Sequence, residues 1–223
     1  MGGLHDFWML RKGCGGPQLK ATSGSMPWLA KATLALVLLL LPAAVRAQQT
    51  TLEFTPAHTR VGFTLGDVIH TVHGSFDLKH GTVHFNPETG EVNGEIVLDA
   101  ASGRSGNRTR DRKMNKEVLQ SDQYPEIIFR PDRVDGKVGI QGTSTIQIHG
   151  VFSIHGADHE MSFPMRVELT KDHWIATGKF TVPYVKWGLK NPSTFILRVS
   201  ESVEIDLQAS SANFALPPAE APK

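Results

Sequence analysis

The stretch Gly103–Pro131, GRSGNRTRDRKMNKEVLQSDQYPEIIFRP, holds the one convincing helix signal in a chain otherwise patterned as strands. Ser105, Gly106 and Asn107 are turn-formers, a charged run follows, and Met114, Val118 and Leu119 fall at helical spacing on one narrow stripe. Tyr124-Pro125 is expected to stop the helix, because a residue before proline is pushed out of helical geometry. Glu126-Ile127-Ile128-Phe129 then reads as strand. A lone short helix among long strands needs an apolar surface to rest on. The open end of a barrel supplies one, so the helix is expected to lid it.

On both sides of the helix the sequence alternates. Val61, Phe63 and Leu65 are spaced by two, as are Val72, Gly74, Phe76 and Leu78, with Val83 and Phe85 continuing the apolar set. Asn86-Pro87-Glu88-Thr89-Gly90 is a turn in which proline presets φ and glycine offers the left-handed position. Val92, Gly94, Ile96 and Leu98 return from it, which makes 70–100 a hairpin. Beyond the helix, Asp135-Gly136 predicts a tight hairpin turn, Ile140 to Ile154 keep to even positions, and Gly156-Ala157-Asp158 is expected to turn the chain. Met161 to Leu169, Trp174 to Val182, and Phe195 to Leu207 repeat the alternation. Such a pattern means sheet with one apolar and one wet face. About eight strands can hide their apolar faces in a sandwich or a closed barrel. Several of them run beyond the ordinary length of about five or six residues, which favours a barrel with an elongated interior, either solid or holding one slender ligand.

Residues 1–25 are Gly-rich and unpatterned, and read as an over-extended start. Residues 26–47 carry a charged beginning, the apolar run ATLALVLLLL and small residues before a cut after Ala47, the pattern of a secretory signal peptide. That run is too short for a membrane helix, so no transmembrane span is expected in the mature chain. Residues 48–209 are the expected barrel domain, and the Pro- and Ala-rich 210–223 an expected disordered tail. The single cysteine, Cys14, lies in the part removed, so the mature chain has no thiol. It keeps 18 basic against 21 acidic residues, a balance unlike that of a nucleic-acid binder.

Several short motifs recur in a fixed order: Ala57-His58-Thr59 before Val61 and Phe63; His73-Gly74-Ser75-Phe76; Arg110-Asp111; Tyr124-Pro125 before EIIF; Gly142-Thr143 leading to Ile146-Gln147-Ile148-His149-Gly150; and Val203, Ile205 and Leu207 in the closing strand. With these the chain resembles the YceI-like, polyisoprenoid-binding family of exported bacterial proteins, over about Thr51 to Ala209. The resemblance implies an all-β fold: an extended eight-stranded antiparallel barrel, lipocalin-like, with one short helix closing an end. It also implies a periplasmic or secreted protein that stores or carries a long isoprenoid lipid, such as a polyprenyl phosphate or quinone-like molecule.

The inward set is Phe63, Phe76, Phe85, Ile96, Phe129, Ile146, Ile148, Phe163, Phe180, Val182 and Phe195, joined by Met114, Val118 and Leu119 of the helix. Parity alone allows a solid core or a ligand lining; the resemblance implies the lining. Arg108, Arg110, Arg112 and Lys113 sit at the helix start, where cations beside free N–H groups form an anion site. They read either as a pocket for a phosphate head, which His70 could also touch, or as a solvated charged face balanced by Asp111. By parity His73, His84, His149, His155 and His173 point outward, and neither HExxH nor cysteine accompanies them, so no metal site is expected. No G-x-S-x-G and no evident carboxylate pair is present. The reading is therefore a binder that is not an enzyme and has no cofactor, with a hydrophobic long-chain ligand as partner and a homodimer left open. Its rivals are an exported enzyme and a structural or stress protein with a filled barrel and surface metal or partner binding.

Overall fold

The computed structural model describes residues 49–66, 71–139, 141–170, 172–194 and 198–211. The expected over-extended start and signal peptide, with Cys14, lie outside the described residues, as does the expected tail beyond Ser211; Ser210 and Ser211 are strand. Ten antiparallel strands form one curled sheet, a half-barrel. They are β1 (Thr50–Phe54), β2 (Thr59–Gly66), β3 (Thr71–Phe76), β4 (Leu78–Phe85), β5 (Val92–Asp99), β6 (Glu126–Asp135), β7 (Gly142–Ile154), β8 (Ala157–Leu169), β9 (Trp174–Val182) and β10 (Val203–Ser211). Their order across the sheet is β1-β4-β5-β6-β7-β8-β9-β10-β2-β3.

The count is ten rather than the expected eight, and the chain leaves the ladder at two points among the first four strands. Between β1 and β2, Pro56 has no N–H to give a ladder, and the His58 N–H donates to the Thr55 carbonyl at 3.0 Å. Between β3 and β4, the backbone of Asp77 leaves the ladder. Its N–H donates to Ser102 Oγ at 2.8 Å, and its carbonyl accepts from the Asp99 N–H at 3.0 Å. Elsewhere the pairing brings alternating apolar residues onto one face. Val61 pairs with Leu207, Phe63 and Phe180 with Ile205, Ile148 with Phe163, and Phe129 with Ile96 and Phe152.

Three expected boundaries move. The β7–β8 hairpin turns at His155 and Gly156, with φ of 53° and 76°, rather than at Gly156–Asp158. Both central residues are left-handed, as a two-residue hairpin that follows the sheet twist requires, so Ala157 and Asp158 are already strand. Asp135-Gly136 makes no tight turn, because β7 runs past the end of β6 to pair Gly142 with Leu169 and residues 136–141 must cover the distance. The last strand starts only at Val203. Before it the chain folds back, with Tyr184 Oη donating to the Ser200 carbonyl at 2.6 Å and the Ser200 N–H to Gly66 at 2.9 Å.

The helix is where it was expected, with a different end. A 3₁₀ turn (Ala100–Ser102) is capped by Asp99, whose carboxylate accepts from the Ala101 N–H at 2.9 Å. Helix α1 (Arg108–Lys113) is capped by Asn107, which accepts from the N–H groups of Thr109 and Arg110 at 3.0 and 3.1 Å. It widens into a π-helical segment (Met114–Leu119) and ends at Gln120, left-handed at φ 49°. Tyr124-Pro125 does not end it. Tyr124 packs on the His155 ring at 4.5 Å instead. In a π turn residues five apart stack, so Met114 and Leu119 reinforce the stripe with Val118.

Apolar packing divides into two regions. Val83, Val92, Val134, Ile146, Met165, Leu169 and Trp174 fill one, with Phe54 against Trp174 at 5.4 Å. Ala100, Val118, Leu119, Ile127, Phe152, Ile154, Val182, Tyr184 and Leu189 form the other, beneath the helix.

Gly74 tests how tightly the helix lead-in is held, since a Cβ there would collide with the Phe63 ring and the Arg104 carbonyl. Gly74→Ala is expected to cost about 1–3 kcal/mol by overpacking. Gly62→Ala, whose Cβ would meet its nearest atoms at 3.7 Å or more, is expected to be neutral or mildly stabilising; urea denaturation of both variants measures the difference. Burial, with a smaller contribution from Glu201, pushes the Tyr184 phenol up to about 12. A proton held more tightly by the folded state makes stability fall as pH rises from about 10 towards 12. Denaturation midpoints measured across that window should decline less steeply for Tyr184→Phe.

Candidate functional site

A cavity of about 500 Å³ occupies the region beneath the helix. Its wall comes from the inward residues of eight strands, among them Val61, Phe63 and Leu65 of β2, Ile96 and Leu98 of β5, Phe152 and Ile154 of β7, and Val203, Ile205 and Leu207 of β10. Met114, Val118 and Leu119 roof it. Phe163 belongs both to the filled region and to the cavity wall. It packs against Phe129 at 5.3 Å and stacks on Phe180 at 4.2 Å, so these rings separate the solid end from the hollow one.

Polar residues gather at one side of the cavity: Ser105, Asn107, Thr109, Arg110 and Lys113, with Pro192, Thr194 and Val199 from the segment before β10. Asn107, Thr109, Arg110 and Thr194 are exposed, which marks this side as the mouth. Arg110 is held by Ser105, donating from Nε to Oγ at 2.7 Å and from a terminal nitrogen to the carbonyl at 2.6 Å. The Ser105 N–H in turn donates to Asp111 at 2.8 Å. That leaves Arg110 positioned, with further N–H donors to offer. Lys190 donates to Glu117 at 2.7 Å, joining the π segment to the other wall of the mouth. The hydrogen bond from Lys190 holds the Glu117 carboxyl below its ordinary range.

Of the residues singled out from sequence, Phe63, Phe76, Ile96, Met114, Val118, Leu119, Phe129, Phe163, Phe180 and Val182 line the cavity. Phe85, Ile146 and Ile148 face inward but lie in or against the filled region. Parity assigns a face of the sheet, not a height along the strand. Phe195 and His70 are outside the described residues. Arg110 reaches the lining, whereas Arg108 and Arg112 are exposed and do not. Leu65, Val72, Leu98, Phe152, Ile154, Val203, Ile205 and Leu207 line it as well, and the same alternation would have found them. Tyr184 and Leu189 carried no such signal, because they come from an irregular segment without period.

The histidines behave less uniformly than parity suggested. His73, His84 and His149 are hydrogen-bonded outside, to Thr64, Thr51 and Asp135 at 3.0, 3.0 and 2.8 Å. His155 does not point outward: it sits in the hairpin turn, where strand parity no longer applies, and its Nε2 is buried under Tyr124. His159 stacks parallel to Trp187 at 4.3 Å. Among the described residues no three His, Cys, Asp or Glu side chains gather as a metal site would need. Nor is any described helix long and apolar enough to cross a membrane.

No curated protein matches this sequence. Several solved structures share the fold, three of them as follows. BcnA of Burkholderia cenocepacia is 16% identical with a TM-score of 0.59, over 71% of this chain and 99% of its own. A polyisoprenoid-binding domain from Saccharophagus degradans, implicated in plant cell wall breakdown, is 11% identical with a TM-score of 0.52, over 74% and 99%. The Campylobacter jejuni YceI protein is 15% identical with a TM-score of 0.55, over 66% and 87%. The sequence itself matches the YceI-like domain over residues 52–211. That span runs from β1 to the end of β10 and takes in both the helix and the cavity, and the chain belongs to the YceI-like family.

Proposed function

We propose that this protein binds a long-chain isoprenoid lipid without catalysis, as a periplasmic carrier or store. The cavity carries this reading. It has the size of a small-molecule site, typically about 300–1,000 Å³, and its walls are aromatic and aliphatic from β2 round to β10. Each CH₂ moved from water into such a wall contributes about 0.8 kcal/mol, so a hydrocarbon chain gains affinity by length alone. The polar rim supports an amphiphile rather than a plain hydrocarbon. Arg110 and Lys113 line the cavity at its mouth, Arg110 with N–H donors beyond those bound to Ser105 and Lys113 with only a minor attraction to Glu117. We assign the head group to these two, with an anionic head such as a phosphate favoured. Arg108 and Arg112 stand outside the cavity and take no part in holding the lipid.

The finer fold reading follows the same line. β1 with β2, and β3 with β4, act as two long staves each broken once, so that the ten strands serve as the eight of a lipocalin-like barrel. The rival reading, a structural protein with a solid interior, is supported only by the filled region around Trp174.

Organic extraction of the purified protein followed by mass spectrometry should release a long-chain isoprenoid species. An empty protein that also takes up no added polyprenyl phosphate would defeat the proposal. Ile205→Trp places a large ring in the cavity and should lower lipid retention at least tenfold, about 1.4 kcal/mol, with the unfolding midpoint little changed. Arg110→Ala with Lys113→Ala should weaken a polyprenyl phosphate more than the corresponding alcohol, measured by competition.

A further inference from the structure

The face around the mouth carries a charge imbalance that neither the fold nor the bound lipid requires. Residues 104–119 and 189–201 contain eight Lys and Arg against three Asp and Glu; the rest of residues 48–223 contain ten against eighteen. Two of the three rim acids are already engaged, Asp111 by Ser105 and Glu117 by Lys190. Arg104 is spent on Asp77. Arg108, Arg112, Lys116 and Arg198 are exposed, and among the described residues none is in an ion pair. Local structure explains only part of them: Lys116 lies in the last helical turn, where a cation suits the dipole, whereas Arg108 at the helix start opposes it, and Arg108 and Arg112, four apart, repel one another. A merely solvated face would show no reason to gather cations on this side while the rest of the domain is acidic.

Resting on the lipid-binding reading for its purpose, we infer that this cationic rim docks on the surface of an anionic phospholipid bilayer, with the cavity mouth turned towards the membrane. The charge signs are complementary, and the cations adjoin in sequence the residues that line the mouth, Asn107, Thr109, Arg110, Lys113 and Val199. Each Lys or Arg brought near such a surface adds about fivefold in affinity. The attraction reaches about 10 Å at 0.1 M salt and less at higher salt. The acidic remainder of the domain is repelled by the same surface, so charge alone sets the orientation. Since the cations lie outside the cavity wall, docking and cargo binding are separable.

Co-sedimentation of the purified protein with vesicles tests this. It should sediment with phosphatidylglycerol–phosphatidylcholine vesicles at low salt, remain free with phosphatidylcholine alone, and be released by about 0.5 M salt. Arg112→Glu with Lys116→Glu should cut vesicle binding at least tenfold and leave the extracted lipid unchanged. Ile205→Trp should dock like the wild type whatever it carries, so a failure of the lipid reading would show in extraction and not in sedimentation. Absence of binding to the anionic vesicles, equal binding to neutral ones, or undiminished binding by the double charge reversal would each overturn the inference. So would loss of docking in Ile205→Trp.

Discussion

The structure depends on a strap between the break in one strand and the lead-in to the helix. Ser75 and Arg104 exchange backbone hydrogen bonds at 2.8 and 3.0 Å, Ser102 Oγ accepts from the Asp77 N–H, and Arg104 pairs with Asp77. Six α-helical residues followed by six π-helical ones are too few to hold themselves together in water, where isolated helices shorter than about 12–15 residues are marginal. Tertiary anchoring has to supply what propensity does not. The strap fixes where the chain leaves the sheet, Asn115 Nδ2 bonds back to the Ala101 carbonyl at 3.0 Å, and the apolar stripe then has no surface to cover except the cavity. The break at Asp77 is the cost of that arrangement: a strand gives up continuity so that a lid can be sewn to it.

A second consequence is the division of the interior. All inward side chains obey one rule of alternation, yet those near Trp174 and Leu169 meet across a solid core while those near Phe152, Val182 and Val203 do not. Where β7, β8 and β9 meet the Trp174 end, an indole and several methionine and leucine side chains fill the space. Towards the helix phenylalanines, leucines, valines and isoleucines line the wall around an open volume of about 500 Å³. Phe163, in contact with both Phe129 and Phe180, stands at the transition. The solid half carries the dense apolar packing on which stability rests. The other half leaves the volume between its walls unfilled, at the loss of the contacts that close packing would give.

This explains how much could be read from sequence. Period-two alternation specified the class and the inward face of nearly every strand, and helical spacing the helix, because those follow from local geometry. Ten of the fourteen inward residues singled out in this way lie on the cavity. Height along the strand was not legible. Phe85 and Ile146 look like Phe76 and Phe129 in sequence, and only the strand pairing places them at the filled end. The strand breaks were equally silent. Asp77 reads as an ordinary outward residue until Ser102 and Arg104 arrive from 25 and 27 residues away. Tyr184 and Leu189 escaped because an irregular segment carries no period, and the hairpin at His155-Gly156 because histidine is not a usual left-handed residue.

The two sides of the mouth are held by different kinds of interaction. On the strap side the contacts are backbone hydrogen bonds, which do not weaken with salt, and the exposed Arg104–Asp77 pair, which does. Across the mouth the side-chain link between Glu117 and Lys190 joins two groups that are 42% and 60% exposed, and exposed pairs of this kind contribute only about 0–1 kcal/mol. Met114, Val118 and Leu119 add apolar contact within the cluster beneath the helix, but one side of each faces the cavity, so they gain less than fully packed residues would. The roof is therefore weakest along the edge bordered by Arg110, Lys113 and Thr194, which is also the edge where its polar groups collect. A lid anchored firmly on one side and lightly on the other has its line of least resistance set by covalent sequence, because the residues that tie it down precede the helix and the residues that touch the far wall follow it.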